Sequence, residues 1–150
     1  GFDVATLIYG EFCTFSDRDR DLLLWKLKRM LKPGGYFFFD VFTRRYEESH
    51  RLKTDWYLQV KNGFWHPAPH LVLEQSHLYY EDDTCLNQYI VFVPWRRPRK
   101  YHVWHHYYSR EAIVELLEKH RFQVAGVYGD LAGSPFDPDG EWIGLVCRRE

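Results

Sequence analysis

The sequence predicts an α/β fold in which a strand–helix–strand unit of a parallel sheet carries a smaller antiparallel insertion. Three observations point there. Phe2–Tyr9 and Tyr36–Val41 are short apolar runs with little polar alternation, as expected of strands buried on both faces, and a helix-length segment separates them. From Trp56 to Tyr108 the apolar residues follow strand spacing, with no convincing helix. After Ser109 a helical pattern returns, followed by two further strand-like runs.

The elements follow in order. FDVATLIY reads as the first buried strand. Ser16 is a helix N-cap, and Asp19 three residues on is an acidic variant of the capping box. Asp17, Asp19 and Asp21 open that helix and Lys26, Lys28, Arg29 and Lys32 close it, both opposing its dipole. Leu23, Leu27, Met30 and Leu31 make one apolar stripe, and Pro33-Gly34-Gly35 stops the helix. YFFFDV is the second buried strand, reached by a right-handed crossover. LVLEQSHLYYE and LNQYIVFVP flank Asp82–Cys85, a hairpin turn, and YHVWHHYY adds another strand. Ser109 caps a helix with Ile113, Leu116, Leu117 and His120 on one side. FQVAGVY, a loop from Gly129 to Gly140 rich in Gly, Pro and Asp, and WIGLVC complete the chain.

The totals bound the function. The chain has 150 residues, one domain's worth, and 45% of them are apolar, which excludes a disordered chain. A formal net charge of −1 offers no global field for nucleic acid or anionic lipid, so neither is an expected partner. No apolar run is long enough to span a membrane, and the N-terminus does not read as a signal peptide. Cys13, Cys85 and Cys147 are odd in number and far apart, which fits reduced thiols in a cytoplasmic protein.

FDVATLIYGEF, a helix and LKPGGYFFFDVF together resemble strand four, its following helix and strand five of class I S-adenosylmethionine-dependent methyltransferases. YYSREAIVELLEKHRFQVAGVYGD followed by EWIGLVCRR resembles the end of small-molecule enzymes of that fold, where strand seven returns antiparallel between strands five and six. The resemblance implies a Rossmann-like methyltransferase fold, strands four to seven, with an antiparallel β insertion at about residues 56–108. It implies S-adenosylmethionine as cofactor and methyl transfer to an amine or hydroxyl of a small molecule. The Gly-rich turn and ribose-binding acid of the family are not found in the sequence, so the expectation is the C-terminal portion of one domain, inactive or weakly binding alone; a non-catalytic interaction module is the rival reading. His120 and Arg121 stand where the family has a small residue and Gly.

Candidate site residues cluster at strand ends. Tyr9, Gly10, Glu11 and Phe12 close the first strand. The resemblance turns Tyr9, Gly10 and Phe12 toward the cofactor, with Glu11 orienting or deprotonating the acceptor. A plain turn with a solvated Glu is the alternative. Asp40, Arg44 and Tyr46 follow the second strand, an edge that the resemblance turns toward the acceptor, Asp40 suiting a cation and Arg44 or Arg45 an anion, against the alternative of a salt-bridged surface. Twelve of the insertion's aromatics, Trp104 and Tyr108 among them, stand out, most expected to form the core of the small sheet and the rest a lid. His102 and His106 share a strand face while His105 points away; His106 is the candidate general base and no metal site is expected. Arg96, Arg97, Arg99 and Lys100 around Pro98 read as a solvated turn. Asp137-Pro138-Asp139-Gly140 reads as a tight turn ordering the last hairpin. The flat apolar strand at residues 2–9 is an edge that would pair with a second copy of the chain.

Overall fold

The computed structural model describes residues 1–50 and 53–150. Phe2–Leu7 forms β1, which pairs in parallel with β2, Leu31–Phe42. A 3-10 turn, Glu11–Thr14, and helix α1, Asp17–Met30, connect them. The acidic capping box forms: Ser16 Oγ accepts the Asp19 N–H at 3.2 Å and donates to the Asp19 carboxylate at 2.9 Å. α1 buries Leu24 fully, with Leu23 and Leu27 packed against the same core.

Two local expectations need correction. Met30 is half exposed, so the apolar stripe of α1 is Leu23–Leu24–Leu27; the helix ends at Met30 and Leu31 already belongs to the sheet. Pro33-Gly34-Gly35 therefore does not stop the helix. It lies within β2 as an irregularity, where the register against β1 jumps from Phe2–Leu31 to Val4–Tyr36. Pro33 has no N–H for the ladder and Gly34 takes φ 79°, so regular pairing cannot run through them.

Helix α2, Arg44–His50, follows β2 and has no counterpart among the expected elements. Its sequence, RRYEESH, has a single aromatic and no apolar period, so nothing in the pattern announces it. The insertion is the four-stranded antiparallel sheet β3 (Thr54–Gln59), β4 (His70–Tyr79), β5 (Thr84–Phe92) and β6 (Arg99–His106). Its strands span Thr54 to His106, and β4 and β5 form the expected hairpin. Helix α3 (Arg110–Lys119), β7 (Phe122–Tyr128) and β8 (Trp142–Arg149) finish the chain, with Ser109 Oγ capping α3 through the Ala112 N–H at 3.1 Å. Arg121 takes a left-handed φ of 58° just past α3, the slot that glycine fills most easily.

The main sheet runs β1-β2-β8-β7, with β8 antiparallel to both neighbours. The expected placement of the last strand is met. Phe37, Phe39 and Val41 of β2 and Ile143, Leu145 and Cys147 of β8 are fully or almost fully buried, closed over by Leu24, Ile113, Leu117 and Phe122. Each such side chain contributes about 1.5–3 kcal/mol of burial. The insertion is a single layer. Its buried face carries Val72, Cys85, Asn87 and His105, while the face of Trp56, Leu58, Leu73, Phe92 and Trp104 is open. Most of the insertion's aromatics are consequently exposed; of the twelve only Tyr107 and Tyr108 are buried, contrary to the expected aromatic core. A second layer would be needed to cover that face, and none among the described residues does so. All three cysteines are buried, and burial pushes the Cys147 thiol up to about 12. No described helix is long and apolar enough to cross a membrane.

Candidate functional site

β1 and β2 end side by side, and open α/β sheets bind ligands beyond such carboxyl ends. Here Tyr9 and Gly10 are consecutive left-handed residues, φ 73° and 70°. The kink is fastened from below. The Gly10 N–H donates to Asp40 Oδ1 at 2.7 Å, and the Gly10 carbonyl accepts the Cys13 N–H at 3.0 Å. The Phe42 N–H in turn donates to Cys13 Sγ at 3.2 Å. Gly10 lies on the Phe42 ring so closely that a Cβ there would sit 2.1 Å from Cζ. The turn thus throws Tyr9, 81% exposed, and the exposed Glu11 outward while holding its base rigid.

An aromatic stack continues this edge. Phe42 stacks on Tyr46 at 4.1 Å, Tyr46 on His50 at 4.7 Å, and Trp142 meets Phe42 at 4.6 Å and Tyr46 at 5.2 Å. Tyr9 approaches Trp142 at 6.1 Å. Trp142 is not among the sequence candidates. It reaches the site because β8 runs backwards, pairing its first residue with the last of β2. The loop before it is stapled down: the Asp137–Gly140 turn closes with the Gly140 N–H on the Asp137 carbonyl, and Thr43 Oγ1 donates to the Gly140 carbonyl at 2.8 Å.

A cleft of about 950 Å³ opens beside this edge, between Thr14–Arg20 and Thr84, Trp104, His106, Tyr107 and Tyr108 of the insertion. Asp17, Asp19, Asp82 and Asp83 line it against two cations, Arg18 and Arg20, an excess of negative charge. Arg20 is tied down, donating to Tyr108 Oη at 3.3 Å and pairing with Asp17 at 3.0 Å. Burial pushes the Tyr108 phenol up to about 12, so it stays protonated. His106 Nε2 lies 4.0 Å from Asp17, and burial lowers its basicity against the opposing pull of that carboxylate. A neutral imidazole at the cleft wall can accept a proton. Half-exposed Trp104, 5.6 Å from Tyr79, offers an aromatic face.

The structure sorts the expected site residues. It brings Tyr9, Gly10, Glu11 and Tyr46 to the strand-end edge and Trp104, His106 and Tyr108 to the neighbouring cleft. As expected, His102 and His106 lie on one face of β6 and buried His105 on the other. Three assignments change. Phe12 is fully buried against Phe39 and Tyr108 and presents no surface to a cofactor. Asp40 holds the Gly10 amide with one oxygen, which makes it a support of the turn. Arg44 pairs with Asp83 at 2.7 Å, its guanidinium over the Tyr80 and Tyr107 rings, so it fastens α2 to the β4–β5 turn. Among the described residues, no three His, Cys, Asp or Glu side chains gather around one point as a metal site requires.

No family model matches the sequence, and no curated protein matches it in sequence. Solved structures do match in shape. An S-adenosylmethionine-dependent methyltransferase of Clostridium acetobutylicum superposes with a TM-score of 0.69 at 16% identity, over 99% of this chain and 58% of its own. The fold is that of S-adenosylmethionine-dependent methyltransferases. A methyltransferase of Streptomyces caelestis matches this methyltransferase fold at TM-score 0.66 and 15% identity, over 99% of this chain and 61% of its own. A sugar N-methyltransferase of a Streptoalloteichus species gives 0.60 and 15%, over 99% and 57%. The chain therefore spans rather more than half the length of these methyltransferases.

Proposed function

We propose that this chain forms the acceptor side of an S-adenosylmethionine-dependent methyltransferase acting on an amine of a small molecule. One observation carries the reading: a rigid, outward-thrown turn at the end of β1 stands beside an acidic, aromatic-walled cleft. Bound S-adenosylmethionine would supply an electrophilic methyl group on a sulfonium. The exposed Tyr9 ring and the Glu11 carboxylate fit its neighbourhood, since an aromatic face and a carboxylate both tolerate a sulfonium; buried Phe12 does not take part. The chain's own residues do the rest. Asp19 and Asp82, beside Asp17 and Asp83 that are engaged by Arg20 and Arg44, would draw a cationic amine into the cleft, Trp104 would pack against its apolar body, and neutral His106 would receive the proton that the ammonium sheds so that its lone pair is free. Glu11, exposed three residues before Thr14 of the cleft wall, would orient the acceptor. Such transfer is won mainly by positioning and water exclusion.

The amine is favoured over a hydroxyl by the cleft's acidity, and solved structures of the same shape include a sugar N-methyltransferase and a glycopeptide N-methyltransferase. Radiolabelled methyl transfer to a panel of amino sugars and their hydroxyl counterparts tests it. Label on amines, abolished in Glu11→Gln and His106→Gln with the fold intact, is expected; label on hydroxyls only, or on nothing with a complete enzyme, removes the reading. The rival, a non-catalytic module, predicts no transfer under any condition.

The assembly proposal rests on β1. Among the described residues it has a strand partner on one side only, and Phe2 and Val4 are 61% and 51% exposed. An apolar unpaired edge favours continuation of the sheet, here through a second copy across a two-fold axis. Light scattering showing a dimer that Val4→Lys converts to monomer is the expected result, and a monomer at tens of micromolar counts against it.

A further inference from the structure

The β3–β4 loop and the β5–β6 loop lie at the same end of the insertion, because Leu71 at the start of β4 pairs with Phe92 at the end of β5. That end is opposite the β4–β5 turn that Arg44 fastens beside the cleft, about 30 Å away along the nine residues of β5. The two loops lie side by side, since Trp65 and His66 of one share the lining of a small pocket with Arg96 and Arg97 of the other and with Arg99 at the start of β6.

Charge and apolar surface are both concentrated there. Residues 60–69 (VKNGFWHPAP) and 92–100 (FVPWRRPRK) contain Lys61, Arg96, Arg97, Arg99 and Lys100 and no acidic residue. The net charge of −1 for the whole chain conceals this local excess. None of these five cations is in an ion pair with a described carboxylate. Trp95, at a left-handed φ of 64°, is 104% exposed, and Phe64 is 91% exposed. The base beneath them is firm: Trp65 packs on Tyr89 and Tyr101 at 4.8 Å each and donates its indole N–H to Tyr57 Oη at 2.9 Å. Large apolar side chains held outward on a braced, purely cationic tip have no packing reason to be there.

We propose that this tip docks on an anionic lipid bilayer, with Trp95 and Phe64 entering the headgroup–acyl boundary and the five cations meeting lipid phosphates and carboxylates. Charge complementarity picks the partner's sign, and convexity picks its kind. A bilayer accepts protruding apolar groups to a depth of ~5–10 Å, and tryptophan favours that interface. A single-stranded nucleic acid calls instead for a groove with stacking platforms, and these two side chains project from loop ends. The proposal does not depend on the methyl-transfer reading: tip and cleft are at opposite ends of the insertion, and docking leaves the cleft open to solvent.

The test is cosedimentation of the purified protein with vesicles of phosphatidylcholine alone and of phosphatidylcholine mixed with phosphatidylserine. Binding to the anionic vesicles at least about tenfold stronger than to the neutral ones, and weakened by salt, is expected. Arg96→Glu/Arg97→Glu/Arg99→Glu lowers it about tenfold or more, Trp95→Ala lowers it without changing its salt dependence, and Lys26→Glu/Lys119→Glu leaves it unchanged. Circular dichroism checks that each variant is folded; these side chains are all exposed. Equal binding to both vesicles, no binding, or an unchanged triple variant overturns the proposal. So does binding of a single-stranded RNA oligonucleotide through the same arginines with no vesicle binding.

Discussion

Gly10→Ala measures how tightly the strand-end turn is built. Two costs are visible in the structure. Gly10 has φ 70°, where an L side chain costs roughly 1–2 kcal/mol. The new Cβ would also fall 2.1 to 2.7 Å from three atoms of the Phe42 ring, which is itself pinned by Tyr46 and Trp142. Overpacking of that kind costs about 1–3 kcal/mol more, for a total of about 2–5 kcal/mol. Gly133 separates the two costs. It has φ 95°, and a Cβ there would meet nothing within 4 Å, so Gly133→Ala carries backbone strain alone, about 1–2 kcal/mol. Urea unfolding with a common slope gives both values, and with a slope of ~2 kcal/mol/M a loss of ~3 kcal/mol moves the midpoint by ~1.5 M. Gly10→Ala is expected to exceed Gly133→Ala by at least about 1 kcal/mol, the share owed to the ring. Adding Phe42→Leu to Gly10→Ala should recover part of that excess. Equal losses at the two glycines would show that the ring does not brace the turn.

Three further outcomes follow from the same geometry. Asp40→Ala removes the carboxylate from the Gly10 amide and should destabilise by about 1.5–3 kcal/mol in the same unfolding assay, with Asp40→Asn losing less. Arg44→Ala should cost no more than about 1 kcal/mol because its pair with Asp83 is about half exposed, yet raise the acceptor KM through loosening of the insertion; an unchanged KM would end that role. His106 binds its proton less readily when folded, so the unfolded chain takes up more protons as pH falls below the usual 6.5; the protein should lose stability from there down to the lowered folded value, and His106→Gln should flatten that part of a stability-versus-pH profile.

Sequence by itself determined most of the frame. Apolar runs without polar alternation placed β1, β2, β7 and β8, but only β2 and β8 are substantially buried; β1 has no buried residue and β7 only Phe122, so the expected burial of β1 on both faces is not met. Ser16 and Ser109 marked two helix starts, since side-chain caps are local and need no partner from elsewhere. Alternation likewise put His106 on one face of β6 and His105 on the other. Tertiary structure decided what depends on neighbours distant in sequence. Phe12 and Tyr9 look alike as aromatics in one turn, and only packing against Phe39 and Tyr108 buries the first while the second projects. Asp40 and Arg44 read as ligand-binding charges until Gly10, 30 residues away, and Asp83, 39 residues away, take them up. Trp142 joins the site only through the reversed direction of β8. The basic run at Arg96–Lys100 became a cationic, apolar-tipped surface only once strand pairing set it beside Lys61 and Phe64. Charge counted along a chain averages over its whole length, whereas a surface is sensed within about 10 Å.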